Sequence, residues 1–350
     1  MKNSPRNKKN QGPNLLTLLM PYSWLIVLLV LLALFSNGLN LLIPKIIANG
    51  IDSYTKGHFN YSNIIIQFFA IGVAILIFQY LQSIVQTYAS ERVAKDLRER
   101  LAIKISRQSY VYIQNITPAR LLTNLTSDTD AVKLFISQAI VSMVSSIFLI
   151  IGASILMLLI NWELAIAVLL IIPIIGGTFF MVLGKVRVLF GKTQGVIDWL
   201  NKVINESILG SALIRVLHSE NLETDKFREA NTNARNIGYQ ILGYFALLIP
   251  IITFVASFAT LIILALGGHF VIINKMTLGD FAAFNSYLGI LIFPIILIGF
   301  MSNVVARASA SYLRVVEVLN TEELPDTGTH LAELDGKIEL KKISKKYESL

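Results

Sequence analysis

Six long apolar stretches constrain this chain more than any other feature of its sequence. A hydrocarbon core of about 30 Å is crossed by roughly 20 apolar residues in a helix, and the stretches are of about that length. Hydrophobic residues make up 54% of the chain and charged residues only 15%. Such long runs exclude a closed β-barrel, so the sequence predicts an all-α membrane protein with six transmembrane helices. The stretches cover residues 24–43, 64–81, 135–160, 164–183, 241–266 and 281–305.

Lys and Arg are distributed unequally among the segments that connect these stretches. Of 30 such residues, 27 lie in the two terminal segments and in the two long connections, and the other three are Lys45, Lys56 and Lys275. By the positive-inside rule, we expect both termini and both long connections to be cytosolic, in a multi-pass protein of the plasma membrane. We call this end of the molecule the basic side. The charges are split among separate segments without a binding motif, so no nucleic-acid partner is predicted.

The two long connections are predicted to be helical hairpins that extend the membrane helices. In the first, apolar residues recur every four positions over 93–105, and the second has a similar stripe over 197–208. A helix over 62–106 would be about 65 Å long, roughly twice the hydrocarbon core. Each hairpin is expected to turn once, near 112–120 and near 217–225. Levers of this length imply a cytosolic partner at their tips.

Five short segments, in chain order, carry recognisable motifs. They are RVAKDLRERL at 92–101, TPARLLTNLTSD at 117–128, LNKVINESILG at 200–210, MTLGDFAAF at 276–284 and RVVEVL at 314–319. Together they resemble the transmembrane domain of exporter-class (type IV) ABC transporters, and in particular bacterial multidrug and lipid exporters. The resemblance implies the fold of that family, which is six transmembrane helices with long cytosolic extensions.

The resemblance also implies roles for the hairpin tips and a pairing partner. The tips are similar to coupling helices, which seat on nucleotide-binding domains, and a half-transporter of this kind pairs with a second one. Ala119 and Asn124 replace the glycine and arginine of the family motif, and this version is similar to half-transporters that form heterodimers, so a heterodimer is favoured over a homodimer. The residues that would form the coupling helices are Asn115, Ile116, Thr117, Pro118, Ala119, Arg120, His218, Ser219, Glu220, Asn221, Leu222 and Glu223.

The C-terminal segment GKIELKKISKKYESL, at 336–350, alternates apolar and polar residues as a half-buried strand does. It resembles the first strand of an ABC nucleotide-binding domain, in which Tyr347 would stack on adenine. The expected domain organisation is a cytosolic tail at 1–20, a transmembrane domain at 21–320, a linker at 321–335 and the truncated start of a nucleotide-binding domain at 336–350.

No catalytic residue is predicted in this chain. A phosphate-binding loop needs a glycine five positions before its Gly-Lys-Thr, but Val186 precedes the triplet at 191–193. ATP and Mg²⁺ are therefore expected to bind the missing nucleotide-binding domain, and the fragment alone is expected to bind neither. The intact protein is expected to be a translocating ATPase. Cysteine is absent and the four histidines are isolated, so no metal site is predicted.

Polar but uncharged side chains within the apolar stretches are the candidates for a substrate pathway. Amides are costly in lipid without partners, so these side chains are expected to face the interior of the bundle. Hydrogen bonding between helices and lining a pathway are equally compatible with their positions. No charged residue lies near the centre of a stretch, which disfavours an ion-coupled transporter. The pathway candidates are Asn37, Asn40, Gln79, Gln82, Asn285 and Asn303.

Two functions of different classes are compatible with these features. The first is the membrane region of an ATP-driven exporter, which moves hydrophobic or amphiphilic substrates (a drug, lipid or peptide) out of the cytosol by alternating access. The second is an ATP-independent channel, sensor or scaffold. Within the family, a lipid flippase is a further alternative. The sequence that follows residue 350 would separate the two classes, because an exporter needs a phosphate-binding loop there or on another subunit.

Overall fold

Six helices in the computed structural model, which describes residues 15–323, are long and apolar enough to cross a membrane. We call them the first to sixth span helices. The described part of the chain contains no strand, which confirms the predicted all-α membrane fold. Each predicted apolar stretch lies within one of these helices. The span helices are Thr17–Thr55, Tyr61–Ser106, Pro118–Ile160, Trp162–Leu209, Glu220–Ile272 and Leu278–Leu319.

Several span helices are not uniform α-helix. The first includes the end of a short helix, Leu15–Leu19, and a 3₁₀ turn, Met20–Tyr22, before the main helix Ser23–Thr55. The third and fifth contain wider π turns at Asn124–Asp128, Phe135–Ala139 and Ile263–Gly267. The fourth consists of Trp162–Leu169 and Ile171–Leu209, separated at Leu170. Two further short helices, Tyr110–Ile116 and Ser211–Val216, join span helices on the basic side.

Short connections on the side opposite the basic side begin the following helices with side-chain caps. Asn60 accepts a hydrogen bond from the backbone N–H of Asn63 (3.3 Å). Asn161 accepts one from Leu164 (3.0 Å), and Thr277 accepts one from Asp280 (2.9 Å). These caps satisfy backbone donors that the first turn of a helix leaves without partners. The second, fourth and sixth span helices therefore start at positions that their sequences specify.

The span helices form two packed regions. On the basic side, the second, third and sixth span helices enclose a core that includes Val93, Leu97 and Leu101, which confirms the apolar stripe predicted for the first hairpin. Towards the opposite side, the fourth, fifth and sixth span helices form a second core with parts of the first and third. The hairpin between the fourth and fifth is different, because the buried side chains between residues 187 and 240 are limited to Val203 and Ala230. This hairpin leaves most of its surface, including Ile197 and Ile204, uncovered in the single chain.

A close backbone approach joins the first and sixth span helices at the side opposite the basic side. The backbone N–H of Gly279 donates to Asp52 Oδ1 at 2.8 Å. A Cβ atom at position 279 would overlap the carbonyl oxygen of Ala48 and would lie 2.7 Å from the Asp52 carboxylate. Glycine in the TLGD motif is thus required by the approach of two backbones, since any side chain would push the helices apart.

Substitution of this glycine tests the helix contact. We expect Gly279→Ala to destabilise the chain by about 1–3 kcal/mol, because the new methyl group overpacks a rigid backbone contact. The measurement is the midpoint of SDS-induced unfolding in mild detergent. Gly289→Ala is the matched control, since that glycine lies in the same helix and a methyl group added there would meet no atom within 4 Å. Equal midpoints for the two variants would contradict the requirement for glycine at 279.

Candidate transport pathway and coupling segments

The turn of the first hairpin is built around the short helix Tyr110–Ile116. Ser109 caps its start by accepting a hydrogen bond from the backbone N–H of Tyr112 (3.1 Å). Thr117 ends it with a φ of 72°, and Pro118 begins the third span helix, where a missing N–H costs nothing. The predicted coupling residues Asn115 to Arg120 therefore cover the end of the short helix, the joint and the start of the next helix. All of them are exposed except Ile116, which is half-buried.

The turn of the second hairpin begins earlier than the sequence predicted, although its joint at His218 lies within the predicted range. The short helix Ser211–Val216 follows a break at Gly210, and His218 (φ 52°) forms the joint to the fifth span helix. The predicted coupling residues His218 to Glu223 thus occupy the joint and the first turn of that helix, after the short helix. Apolar residues continue across the break, so the periodicity of the sequence conceals it. The pair Gly210-Ser211 is the signal that could have located it.

The tip of the second hairpin exposes apolar side chains. Leu213 is 62% exposed and Val216 76%, and Leu209, Leu217 and Leu222 are also largely exposed. A cluster of exposed aliphatic side chains at the end of a helical lever is typical of a surface that another protein covers. We call these five residues the apolar tip.

Residues from two separate motifs meet on the basic side in an ion pair whose carboxylate is buried and whose guanidinium is exposed. Asp128, from the TPARLLTNLTSD motif, is 3% exposed and accepts two hydrogen bonds from Arg314, of the RVVEVL motif, one of them from Nε at 3.0 Å. Arg314 also donates to Ser311 Oγ at 3.0 Å. Nearby, Arg120 pairs with Glu317 at 3.4 Å. These contacts connect the first hairpin to the sixth span helix.

Asn124, which replaces the arginine of the family motif, is buried and 2% exposed. Its side-chain oxygen has no hydrogen-bond partner among the described residues. The residue lies in the π turn that ends at Asp128, one turn from the Asp128–Arg314 pair. Its side chain is therefore enclosed by its own chain in this structure.

A second set of charges holds the end of the sixth span helix against the first hairpin. Glu323 accepts a hydrogen bond from Lys104 Nζ at 2.9 Å and lies 3.5 Å from Arg107. Tyr112 and Thr321 hydroxyls are 3.1 Å apart in the same region. The hydrogen bond from Lys104, followed by the charges of Lys104 and Arg107, lowers the pKa of Glu323.

The predicted pathway residues separate into two groups. Asn37 and Asn40 lie together in a groove of about 410 Å³ between the first, third and sixth span helices. We call it the amide groove, and Pro44, Ser286 and Ile290 also line it. The other four candidates lie elsewhere: Gln79, Asn285 and Asn303 are exposed and Gln82 is half-buried. The sequence prediction did not include Ser286, Ile290 or Pro44.

Several predicted features lie outside the described residues. These are Tyr347, the C-terminal strand, most of the linker and most of the N-terminal tail. The Gly-Lys-Thr triplet at 191–193 is described, and it lies within the helix Ile171–Leu209 and not in a phosphate-binding loop. Over residues 15–323, no group of three or more His, Asp and Glu side chains is placed to hold a metal ion.

The Asp128–Arg314 pair, with its buried carboxylate, can be tested by comparison with a pair whose carboxylate is exposed. We expect Arg314→Leu to cost about 1–3 kcal/mol of stability, because it leaves the buried Asp128 carboxylate without its charged donor. Arg98→Leu, which breaks an exposed pair with Asp130, is expected to cost less than about 1 kcal/mol. SDS titration in mild detergent gives both values. Similar losses for the two variants would show that the Asp128–Arg314 pair has no special role.

The lowered pKa of Glu323 predicts a pH dependence. A carboxyl group with a lowered pKa in the folded state contributes stability above its unfolded pKa of about 4.3 and loses it as the pH falls through the lowered folded value. We therefore expect Glu323→Gln to lower the thermal unfolding midpoint at pH 7, with a difference from wild type that shrinks towards zero below pH ~4. Glu322→Gln serves as the control, and the same pH dependence in both variants would contradict the assignment.

Comparison with known proteins identifies the family and its relatives. Residues 26–295 match the family described as ABC transporter transmembrane region, in agreement with the predicted resemblance. The chain is 27% identical over 302 residues to the probable multidrug resistance ABC transporter ATP-binding/permease protein YheI of Bacillus subtilis (strain 168), covering 84% of this chain and 51% of that protein.

Two further relatives have related descriptions. The multidrug resistance-like ATP-binding protein MdlA of Buchnera aphidicola subsp. Schizaphis graminum is 26% identical over 322 residues, or 90% of this chain and 54% of that protein. The ATP-dependent lipid A-core flippase of Syntrophus aciditrophicus is 25% identical over 269 residues, or 77% of this chain and 44% of that protein. The chain spans about half the length of these curated relatives. With a family match over most of its length and six apolar helices, this chain belongs to the ABC transporter transmembrane regions.

Proposed function

We propose that this chain is the membrane region of an ATP-driven exporter that moves hydrophobic or amphiphilic molecules out of the cytosol. The observation that carries the proposal is the pair of helical hairpins, which extend four of the span helices and end in short helices with largely exposed surfaces. The third span helix belongs both to the first hairpin and to the lining of the amide groove. The names of the relatives support it, since two are described as multidrug resistance proteins and one as a lipid A-core flippase.

The hairpin tips are proposed as the contacts with nucleotide-binding domains. The first would use Asn115 to Arg120 and the second His218 to Glu223 together with the apolar tip. Burial of the apolar tip against a partner would remove aliphatic surface from water, which favours association. ATP and Mg²⁺ would bind the nucleotide-binding domains, and binding and hydrolysis there would supply the energy for transport. In this proposal the basic side, with both termini, faces the cytosol across the plasma membrane.

The contacts on the basic side suggest how motion at a tip reaches the membrane. Arg120 and Asp128 belong to the first hairpin, and they pair with Glu317 and Arg314 of the sixth span helix. That same helix contributes Ser286 and Ile290 to the amide groove. A displacement of the first tip would therefore be transmitted along one continuous helix to the groove, as alternating access requires.

A second half-transporter is proposed as the partner that covers the hairpin between the fourth and fifth span helices. Its stripe of apolar residues at Ile197, Ile204 and Ile208 remains partly exposed within the described chain. A neighbouring subunit would bury this stripe and complete the bundle. The sequence at Ala119 and Asn124 favours a different chain over a second copy, as in half-transporters that form heterodimers.

Transport by the complete protein that contains this chain tests the proposal. We expect ATP-dependent uptake of a hydrophobic fluorescent dye into inside-out proteoliposomes, and we expect Leu213→Asp to reduce it about tenfold or more by placing a charge in the contact of the apolar tip. Asn231→Asp adds the same charge at an exposed position further along the hairpin and is the control. ATP-independent dye flux would favour a channel. ATP-dependent movement of a labelled lipid without dye uptake would favour a flippase.

A further inference from the structure

The amide groove has more hydrogen-bond acceptors than donors. Asn37 Nδ2 donates to the carbonyl oxygen of Ala33 at 2.7 Å and to Ser145 Oγ at 2.9 Å, so both of its N–H groups are used. Asn40 Nδ2 donates to the carbonyl oxygen of Ser36 at 3.1 Å, and its second N–H is the one amide donor of the groove that this bond does not use. Because a carbonyl can only accept, each amide must turn its nitrogen towards the helix. Among the described residues, no donor contacts the side-chain oxygens of Asn37 and Asn40.

Prolines leave two backbone carbonyl groups of groove-lining residues without their usual helical donor. Pro44 lies inside the first span helix and Pro294 inside the sixth. A proline has no N–H to donate to the carbonyl group four residues earlier. The carbonyl groups that lack this helical N–H donor belong to Asn40 and Ile290, and both residues line the amide groove.

The remaining polar group of the groove follows the same pattern. The Ser286 hydroxyl donates to the carbonyl oxygen of Ala282 at 3.0 Å, so its free lone pairs are acceptors as well. None of the residues that line the groove is charged, and the others, such as Leu149, are apolar. A volume of about 410 Å³ lies within the range of small-molecule sites. The groove therefore combines an apolar wall with carbonyl and hydroxyl oxygens in excess of donors.

We propose that the amide groove binds hydrophobic molecules through a hydrogen-bond donor, an ammonium or another N–H group, and discriminates against carboxylates. Half-buried acceptors without donors in an apolar groove are costly, so a ligand that supplies an N–H recovers part of that cost. An anionic ligand would instead place negative charge against carbonyl dipoles. This inference rests on the proposed function, and it specifies the substrate chemistry of the same pathway.

Binding of three matched probes to the chain in nanodiscs tests the inference. The radiolabelled probes are 4-phenylbutylammonium, its N-trimethyl analogue, which has the same charge without an N–H, and 5-phenylpentanoate. We expect the primary ammonium to bind about fivefold to tenfold more tightly than the trimethyl analogue, as expected for one to two hydrogen bonds, and the carboxylate to bind least. Equal affinities for the two cations would overturn the proposal and indicate that an apolar ligand or a lipid chain fills the groove.

Variants locate the preference in the groove. Asn40→Leu is expected to reduce the preference for the primary ammonium roughly fivefold, whereas Asn40→Asp is expected to strengthen it, because the second change keeps the acceptors and adds negative charge. Gln67→Leu, the loss of an exposed amide from the second span helix, is the control. The Asp variant keeps the test valid if the Leu variant fails to fold. An unchanged preference in both Asn40 variants would overturn the assignment to this groove.

Transport of the same probes by the complete protein separates the two proposals. ATP-driven uptake of dye together with equal binding of both cations would leave the exporter function in place and reject donor recognition. Selective binding of the primary ammonium without ATP-driven movement of any probe would support donor recognition and reject the exporter function.

Discussion

Backbone hydrogen bonding within the hydrocarbon layer is the constraint on which the rest of this structure depends. A peptide group in lipid has no water to bind, so it must find its partner within the chain. Continuous helices satisfy that requirement, and six of them account for most of the described residues. Positions where the helical hydrogen-bond pattern is interrupted therefore show where backbone groups need another partner. Two of them, at Pro44 and Pro294, free the carbonyl groups of residues that line one groove.

The sixth span helix links all the regions that matter for the proposed function. At its start, Gly279 contacts Asp52 of the first span helix. Further along, Ser286 and Ile290 line the amide groove, and near its end Arg314 binds the buried Asp128. A helix of 42 residues is about 63 Å long, so one continuous helix, interrupted in its hydrogen bonding at Pro294, extends from one side of the bundle to the other. This continuity explains why two of the recognisable motifs, TLGD and RVVEVL, belong to the two ends of the same helix.

The sequence was a good guide wherever a local signal existed. The six apolar stretches, the helical extension of the second span helix and the family resemblance are all confirmed. The start of the turn in the second hairpin was placed too late, because apolar periodicity continues through the break at Gly210. Of the six pathway candidates, Asn37 and Asn40 share a groove, while Asn285 and Asn303 are exposed. Hydropathy identifies an amide in an apolar run, but the face on which it lies depends on the neighbouring helices.

Local chemistry within the chain was sufficient to specify the number of span helices, their caps and the uneven distribution of charge. These depend on transfer free energy and on hydrogen bonds between residues a few positions apart. Contacts between distant residues required the folded chain: the pair of Asp128 with Arg314, the approach of Gly279 to Ala48, and the orientation of the Asn37 amide towards Ser145. Each depends on how two helices are rotated and spaced against one another, which is set by side-chain packing over their full length.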